Sequence, residues 1–575
     1  MNRTPRPAVT PDSAPAMDRR QFMAYCSAVG LGSGSIGSLL WQQAQETGTI
    51  TKEMLAEAET VFGLRFEEDE RELMLEGLNR NLRRLEQIRE LDISNTVAPA
   101  ILFEPVLPGR QPASGAGTFR MSRQPQIERP ANLEQVAFWP VTHLAELVRA
   151  RRVTAVELTR MYLDRLKRHG PRLECVVTLT EELALKQANR ADAEIRRGYY
   201  RGPLHGIPWG AKDLLAEDQY RTTWGAKPFE DQVLDSDATV VSRLEQAGAV
   251  LVAKTTLGAL AMGDVWFGGR TRNPWNPEQG SSGSSAGSAA ATAAGLVGFS
   301  LGSETLGSIV SPSTRCGVTG LRPTFGRVSR YGAMALSWSM DKLGPICRAV
   351  EDCAVVLNAI HGADGKDPTA RDVPLDWDPE LPLSRLRIGY YRSAFERDRQ
   401  GKEFDDQVLT VLRSLGIDLI PIELPDQFPL GALRIILSAE AAAAFEELTR
   451  SNRDDLLVRQ DQGAWPNSFR HSRFIPAVDY IEANRVRTMV MEALDAVMDG
   501  IDLFVTPTSG PNVLLMTNLT GHPSVTLPNG FRDTGTPVSI SFIGSLFCEG
   551  TMLRVAKAYQ DATDFHTRQP PEFAV

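Results

Sequence analysis

Apolar positions along the chain fall into two patterns, helical repeats and short continuous runs. Leu78, Leu82, Leu85 and Ile88 fall at i, i+4, i+7 and i+10. That is one face of a 3.6-residue repeat, and it predicts a helix from Thr51 to about Asp92. Four acids, Glu67 to Glu70, precede Arg80, Arg83, Arg84 and Arg89, an order that suits the helix dipole. Helical periods return between Leu144 and His169, with Thr154 placed to cap a second helix, and again between Glu181 and Arg197. Short apolar runs lie among the helices at Ala249–Val252, Leu386–Tyr391, Asp502–Val505 and Pro537–Ile543. Such runs predict buried strands, and their alternation with helices predicts an α/β fold. The expected architecture is one large mixed, mostly parallel sheet flanked by helices, with a small N-terminal helical appendage.

Between these regions, Pro108 to Asn132 is rich in Pro, Gly, Ser, Gln and Arg without any period, and it reads as a surface linker. The chain therefore divides into residues 1–44, an export signal and tail; 45–107, the helical appendage; 108–137, the linker; and 138–575, one catalytic domain. The first 17 residues are rich in Pro, Ala, Thr and Ser, a disorder-type composition. Arg19-Arg20 then stands directly before the mildly apolar stretch Met23 to Trp41. This layout reads as a twin-arginine-type signal and implies an exported, periplasmic protein. The competing reading is a polar tail with a chance arginine pair. Ala44 is the best small residue for cleavage and no clean A-x-A is present, so an uncleaved anchor stays open.

Composition narrows the function. The 575 residues carry 62 Lys and Arg against 71 Asp and Glu, a net charge of -9, which argues against a protein that grips nucleic-acid phosphates. No uncharged apolar run has the length and hydrophobicity of a membrane span. Six cysteines without a C-x-x-C pair argue against a disulfide scaffold or a structural zinc. Cys26 falls in the signal, and the five cysteines of the body are expected to be buried.

The chemistry concentrates near the middle. Gly280 to Ser288 reads GSSGSSAGS and runs into the Ala-rich stretch 289–295, a loop that offers backbone N–H groups and hydroxyls at a helix start. A flexible linker fits poorly in mid-domain. Gly283 to Gly287 matches G-x-S-x-G with Ser285 as nucleophile, but that motif needs a strand directly before it. Here two prolines, Pro274 and Pro277, argue against one. The third reading joins this loop to Gly206–Asp213, where Lys212 sits among small and apolar residues, and to Gly302–Pro312, a second loop with serine after glycine. Desolvation can hold such a lysine neutral, able to accept a proton.

Together these segments resemble the amidase signature family of Ser-cisSer-Lys hydrolases. The resemblance spans about residues 138–571 and includes RGPLHGIPWGAKDLL (201–215), TRNPW (271–275), CGVTGLRPTFGRVSRYG (316–332), LFVTPTS (503–509) and NLTGHPSVTLP (518–528). Carried over, Lys212 is the base, Ser284 the cis-peptide serine and Ser308 the nucleophile. Ser281-Ser282 is an equally good serine pair by eye. Spacing from TRNPW and the unbroken run to Ser308 favour Ser284. The resemblance implies an oxyanion hole from the backbone of Thr305, Leu306, Gly307 and Ser308, and no cofactor or metal.

None of the seven histidines needs a catalytic role, and His205 reads as structural. The chain departs from the family pattern at Ala286 and Leu306, where glycine is usual, at Val310 in place of arginine, and at Glu304 in place of aspartate. Without that arginine, Glu304 must find another partner or face solvent. The implied partner is a small-molecule amide, converted to a carboxylate and ammonia or an amine. Alternatives are a glutaminase of the kind that serves tRNA-dependent amidotransferases, or an esterase or aryl-acylamidase of the same family. Pocket residues are expected within Leu437–Asp479, and a homodimer is left open.

Overall fold

The computed structural model describes residues 49–89, 94–95, 97 and 99–575, so the export-signal reading of residues 1–44 lies outside the described residues. The described residues fall into two compact units, divided between Ser94 and Asn95. The division expected at 107/108 falls inside the second.

Among its described residues the smaller unit holds two helices, α1 (Lys52–Phe62) and α2 (Glu68–Arg89), where one was expected over Thr51 to about Asp92. Gly63 takes a left-handed conformation (φ 65°) and donates its N–H to Glu59, which stops α1. The leucine period of 78–88 is blind to this break because it lies wholly within α2. Arg71 Nε donates to Glu59 Oε1 at 2.8 Å and ties the two helices together.

In the larger unit, Val141–Arg149 and α3 (Ala155–Leu173) are the two helices expected over Leu144–His169. Thr154 opens α3 as expected: its hydroxyl accepts from Glu157 N, and the Glu157 carboxylate accepts from Thr154 N. Helix α4 covers Glu181–Arg196.

Eleven strands form the main sheet. They are β1 (Val176–Leu179), β2 (Pro208–Lys212), β3 (Val250–Thr255), β4 (Phe299–Glu304), β5 (Thr319–Arg322), β6 (Lys342–Cys347), β7 (Ile388–Tyr391), β8 (Leu419–Ile422), β9 (Leu503–Pro507), β10 (Ser524–Phe531) and β11 (Pro537–Gly544). Their order is β1-β3-β2-β4-β6-β5-β10-β11-β9-β7-β8. The expected mostly parallel sheet is corrected: only β2–β3, β2–β4, β7–β8 and β7–β9 are parallel, and the other neighbours run antiparallel. A strand buried on both faces reads as a continuous apolar run whatever its neighbour's direction. The run 537–543 therefore could not show that β11 folds back on β10 as a hairpin.

Helices α5 (Ala286–Ala293), α6 (Val310–Cys316), α7 (Arg434–Ala444) and α8 (Ala477–Met498) bear on the site described next. No described helix is long and apolar enough to cross a membrane. Cys175, Cys316, Cys347 and Cys353 are buried, whereas Cys548 is exposed just before the helix Glu549–Asp561, against the expectation for all five.

Candidate active site

Strand β2 is buried at every position and delivers Lys212 at its end. It runs parallel to β4, with Ala211 opposite Leu301, so Lys212 arrives beside the last residues of β4. The Lys212 side chain is fully buried. Its Nζ lies 2.7 Å from Ser284 Oγ, 2.8 Å from Ser303 Oγ and 3.1 Å from Ser285 Oγ. Burial lowers the Lys212 pKa to about 7, although the charges of Asp341 and Glu304 pull the other way. Near neutral pH the amine is therefore in part unprotonated.

The surrounding bonds limit where its lone pair can point. Ser285 Oγ donates to the Ser303 carbonyl at 3.1 Å and accepts from Ser303 N. With its proton so placed, it can only accept from Lys212. If Ser303 Oγ accepts the second N–H, the amine lone pair is left facing the Ser284 hydroxyl, which has no other partner among the described residues.

The Gly283–Ser284 peptide is cis, in the loop that leads to α5, while earlier in that loop Ser281 Oγ donates to Ser282 O and Ser282 N donates to Asp264. A Cβ at Gly283 would come within 1.8 Å of the Gly263 carbonyl, so only glycine fits there. Ser285 N donates to Ser308 O at 3.0 Å and fastens this loop to the segment that follows β4.

Ser308 lies in that segment, 8% exposed, with no side-chain bond from its hydroxyl among the described residues. The N–H groups of Thr305, Leu306, Gly307 and Ser308 likewise donate to no described residue. The left-handed position here is Gly307 (φ 85°), not Leu306, so the leucine costs the loop no strain of that kind. The Leu306 side chain packs instead against the apolar cluster that includes Leu515 and Met516.

Glu304 does not face solvent. It is fully buried, and its Oε1 accepts from Arg322 Nη1 at 2.8 Å and from Asn518 Nδ2 at 2.9 Å. Its Oε2 accepts from Ile309 N and Val310 N. Burial works to raise its pKa, but the Arg322 and Lys342 charges and these bonds outweigh it and hold the group at about 2. Arg322 thus supplies the charge that Val310 cannot.

Ser285, the nucleophile of the alternative motif, is fully buried and bonded on both sides. Residues Asn276–Gly280 before it do form a strand despite Pro277. They pair only with Arg272–Asn273, outside the main sheet. His205 is buried, accepts from Arg201 N at Nδ1 and sets its Nε2 3.0 Å from Glu194.

A cavity of about 300 Å³ opens onto Ser303 and Thr305, walled by Leu214, Met334, Leu336 and Leu343. Thr305 Oγ1 donates to buried Asp341, whose other oxygen accepts from Leu336 N and Ser337 N. The residues that the sequence reading missed, Ser303, Asp341 and Arg322, act through other residues. Arg322 sat within a segment already singled out, 316–332, but nothing in its spacing tied it to Glu304.

The profile of the Amidase family matches residues 157–514. The chain belongs to the amidase signature family. It is 35% identical over 474 residues to a glutamyl-tRNA(Gln) amidotransferase subunit of Carboxydothermus hydrogenoformans, covering 74% of this chain and 98% of the relative. The native peptide amidase of Stenotrophomonas maltophilia superposes with a TM-score of 0.69 at 33% identity, over 77% of this chain and all of that one. The corresponding glutamyl-tRNA(Gln) amidotransferase subunit of Thermotoga maritima gives 0.62 at 28%, over 74% of this chain and 95% of its own. As a family member, this amidase signature protein is a hydrolase by class, and its α/β fold is that of its neighbours.

Proposed function

We propose that the protein is an amidase that converts a carboxamide to a carboxylate and ammonia, or an amine, through an acyl-enzyme on Ser308. The observation that carries this reading is the contact between buried Lys212 and Ser284 at 2.7 Å, with the lysine pKa near 7. Ser308 Oγ attacks the carbonyl carbon and gives its proton to Ser284, as Ser284 passes its own to Lys212. The oxyanion accepts from backbone N–H groups within Thr305–Ser308. The relay then runs backwards: the leaving nitrogen takes the proton as the C–N bond breaks. Water, deprotonated by the same relay, attacks the ester carbonyl and releases the acid and Ser308.

A second reading, a glutaminase of the amidotransferase type, draws on the 35% identity to the amidotransferase relative. Against it, the cavity's arginine, Arg330, is held by Asp367, Thr369 and the Trp338 carbonyl rather than free for a substrate carboxylate. Ammonia release from a panel of primary amides, glutamine included, tests the choice. Hydrolysis of other amides, abolished in Ser308→Ala, supports the amidase; release from glutamine alone supports the glutaminase. We further propose export to the periplasm from the Arg19-Arg20 signal. A reporter fused to residues 1–44 that fails to leave the cytoplasm would remove that part.

A further inference from the structure

Two cavities in the larger unit meet at a single side chain. The first is the 300 Å³ cavity at Ser303 and Thr305; the second, about 860 Å³, lies between residues 99–108, α7 and α8. Trp338 lines both, and no other described residue does. The walls of the second are largely apolar, with Ile101, Phe103, Leu107, Ala439, Ile481 and Met491 among them. Ile101 and Ile481 are 83% and 57% exposed, so apolar surface stands open beside the candidate site.

Trp338 is held at its place by both flanks. Ser337 Oγ, Ser339 N and Ser339 Oγ all donate to the Glu440 carboxylate. Arg487 donates to Ser339 Oγ and Ser339 O, each at 2.9 Å, and stacks on Phe103. Ser337 N also donates to Asp341, which accepts from Thr305 in the segment before Ser308. The residues flanking Trp338, which lies where the two cavities adjoin, are thus bonded to the proposed oxyanion segment. The same bonds engage Glu440 and Arg487, and Glu104 is paired with Arg371, so the charged side chains of the larger cavity already have partners.

We infer that the larger cavity is a distal subsite for the acyl part of the amide, taking an uncharged, apolar chain that reaches past Trp338 from a carboxamide seated at Ser303 and Thr305. The inference rests on the amidase reading. Its outer wall, residues 99–108, belongs to the N-terminal portion of the larger unit, before the stretch 157–514 that matches the family, while α7 and α8 lie within that stretch. Asn95 anchors that portion, exchanging hydrogen bonds with both backbone groups of Ala335 at 3.0 and 2.8 Å.

The test is kcat/KM of the full-length protein on straight-chain primary amides from butanamide to decanamide. The subsite predicts a rise of about tenfold or more along the series, since each methylene buried in an apolar pocket adds discrimination. Ala439→Phe and Ala443→Trp, which add bulk to the larger cavity, should lower the decanamide value about tenfold and leave butanamide within about twofold. A flat series in the unaltered protein, which needs no variant, overturns the inference, and so does an equal loss on both amides. If no amide is hydrolysed, the amidase reading fails and calorimetric binding decides the subsite separately. Decanamide binding that both variants weaken retains it; binding no tighter than that of butanamide overturns it.

Discussion

Arg322 Nη1 donates to Glu304 Oε1 across 2.8 Å, and both side chains are fully buried. Glu304 in turn accepts from the N–H groups of Ile309 and Val310, directly after Ser308. The pair is therefore both a core ion pair and the anchor of the segment that carries Ser308. Removing one partner leaves the other charge buried without compensation. Arg322→Leu should cost about 3–5 kcal/mol of unfolding free energy, read by urea denaturation.

The pH dependence of stability follows from the same carboxylate. Its folded pKa, about 2, lies below the ordinary carboxylate value. Its stabilising contribution is then complete above about pH 4.5 and is lost as pH falls towards about 2. Glu304→Gln should make stability less steep across that window. Unfolding curves of equal steepness in the two proteins would show that Glu304 does not carry the effect.

Activity should rise with pH through the neutral range. Lys212 accepts a proton only when neutral, and burial sets its pKa at about 7. We expect kcat/KM to show an acid limb with an apparent pKa near 7. Lys212→Met should lower kcat by at least about a hundredfold and remove the limb.

Ser303 is a positioning residue for that lysine, at 2.8 Å from Nζ. Ser303→Ala removes an acceptor that favours the ammonium form, so the acid limb should move to lower pH while kcat falls about tenfold. A merely structural loss would lower kcat without moving the limb. The pH profile separates the two.

The sequence made some parts of this molecule legible and left others hidden for physical reasons. Thr154 could be read as a cap because capping is local, needing only Glu157 three residues on. Lys212 and Ser284 could be paired only through the family resemblance; their 2.7 Å contact joins residues 72 apart. Strand direction was invisible because β2, β3 and β4 are buried throughout and carry no alternation. The Gly63 break was written in the sequence as a glycine shortly before the acids Glu67 to Glu70, but the leucine period further on masked it. Replacement of the missing arginine by Arg322 depends on β5 lying two strands from β4, which no local pattern reveals.

The most direct test of the central claim is covalent labelling with a serine-directed fluorophosphonate, followed by mass spectrometry of the modified peptide. The account predicts a single adduct on Ser308, formed faster as pH rises through about 7 and nearly abolished in Lys212→Met. An adduct on Ser284 or Ser285, or labelling of Ser308 that is indifferent to Lys212, would contradict it.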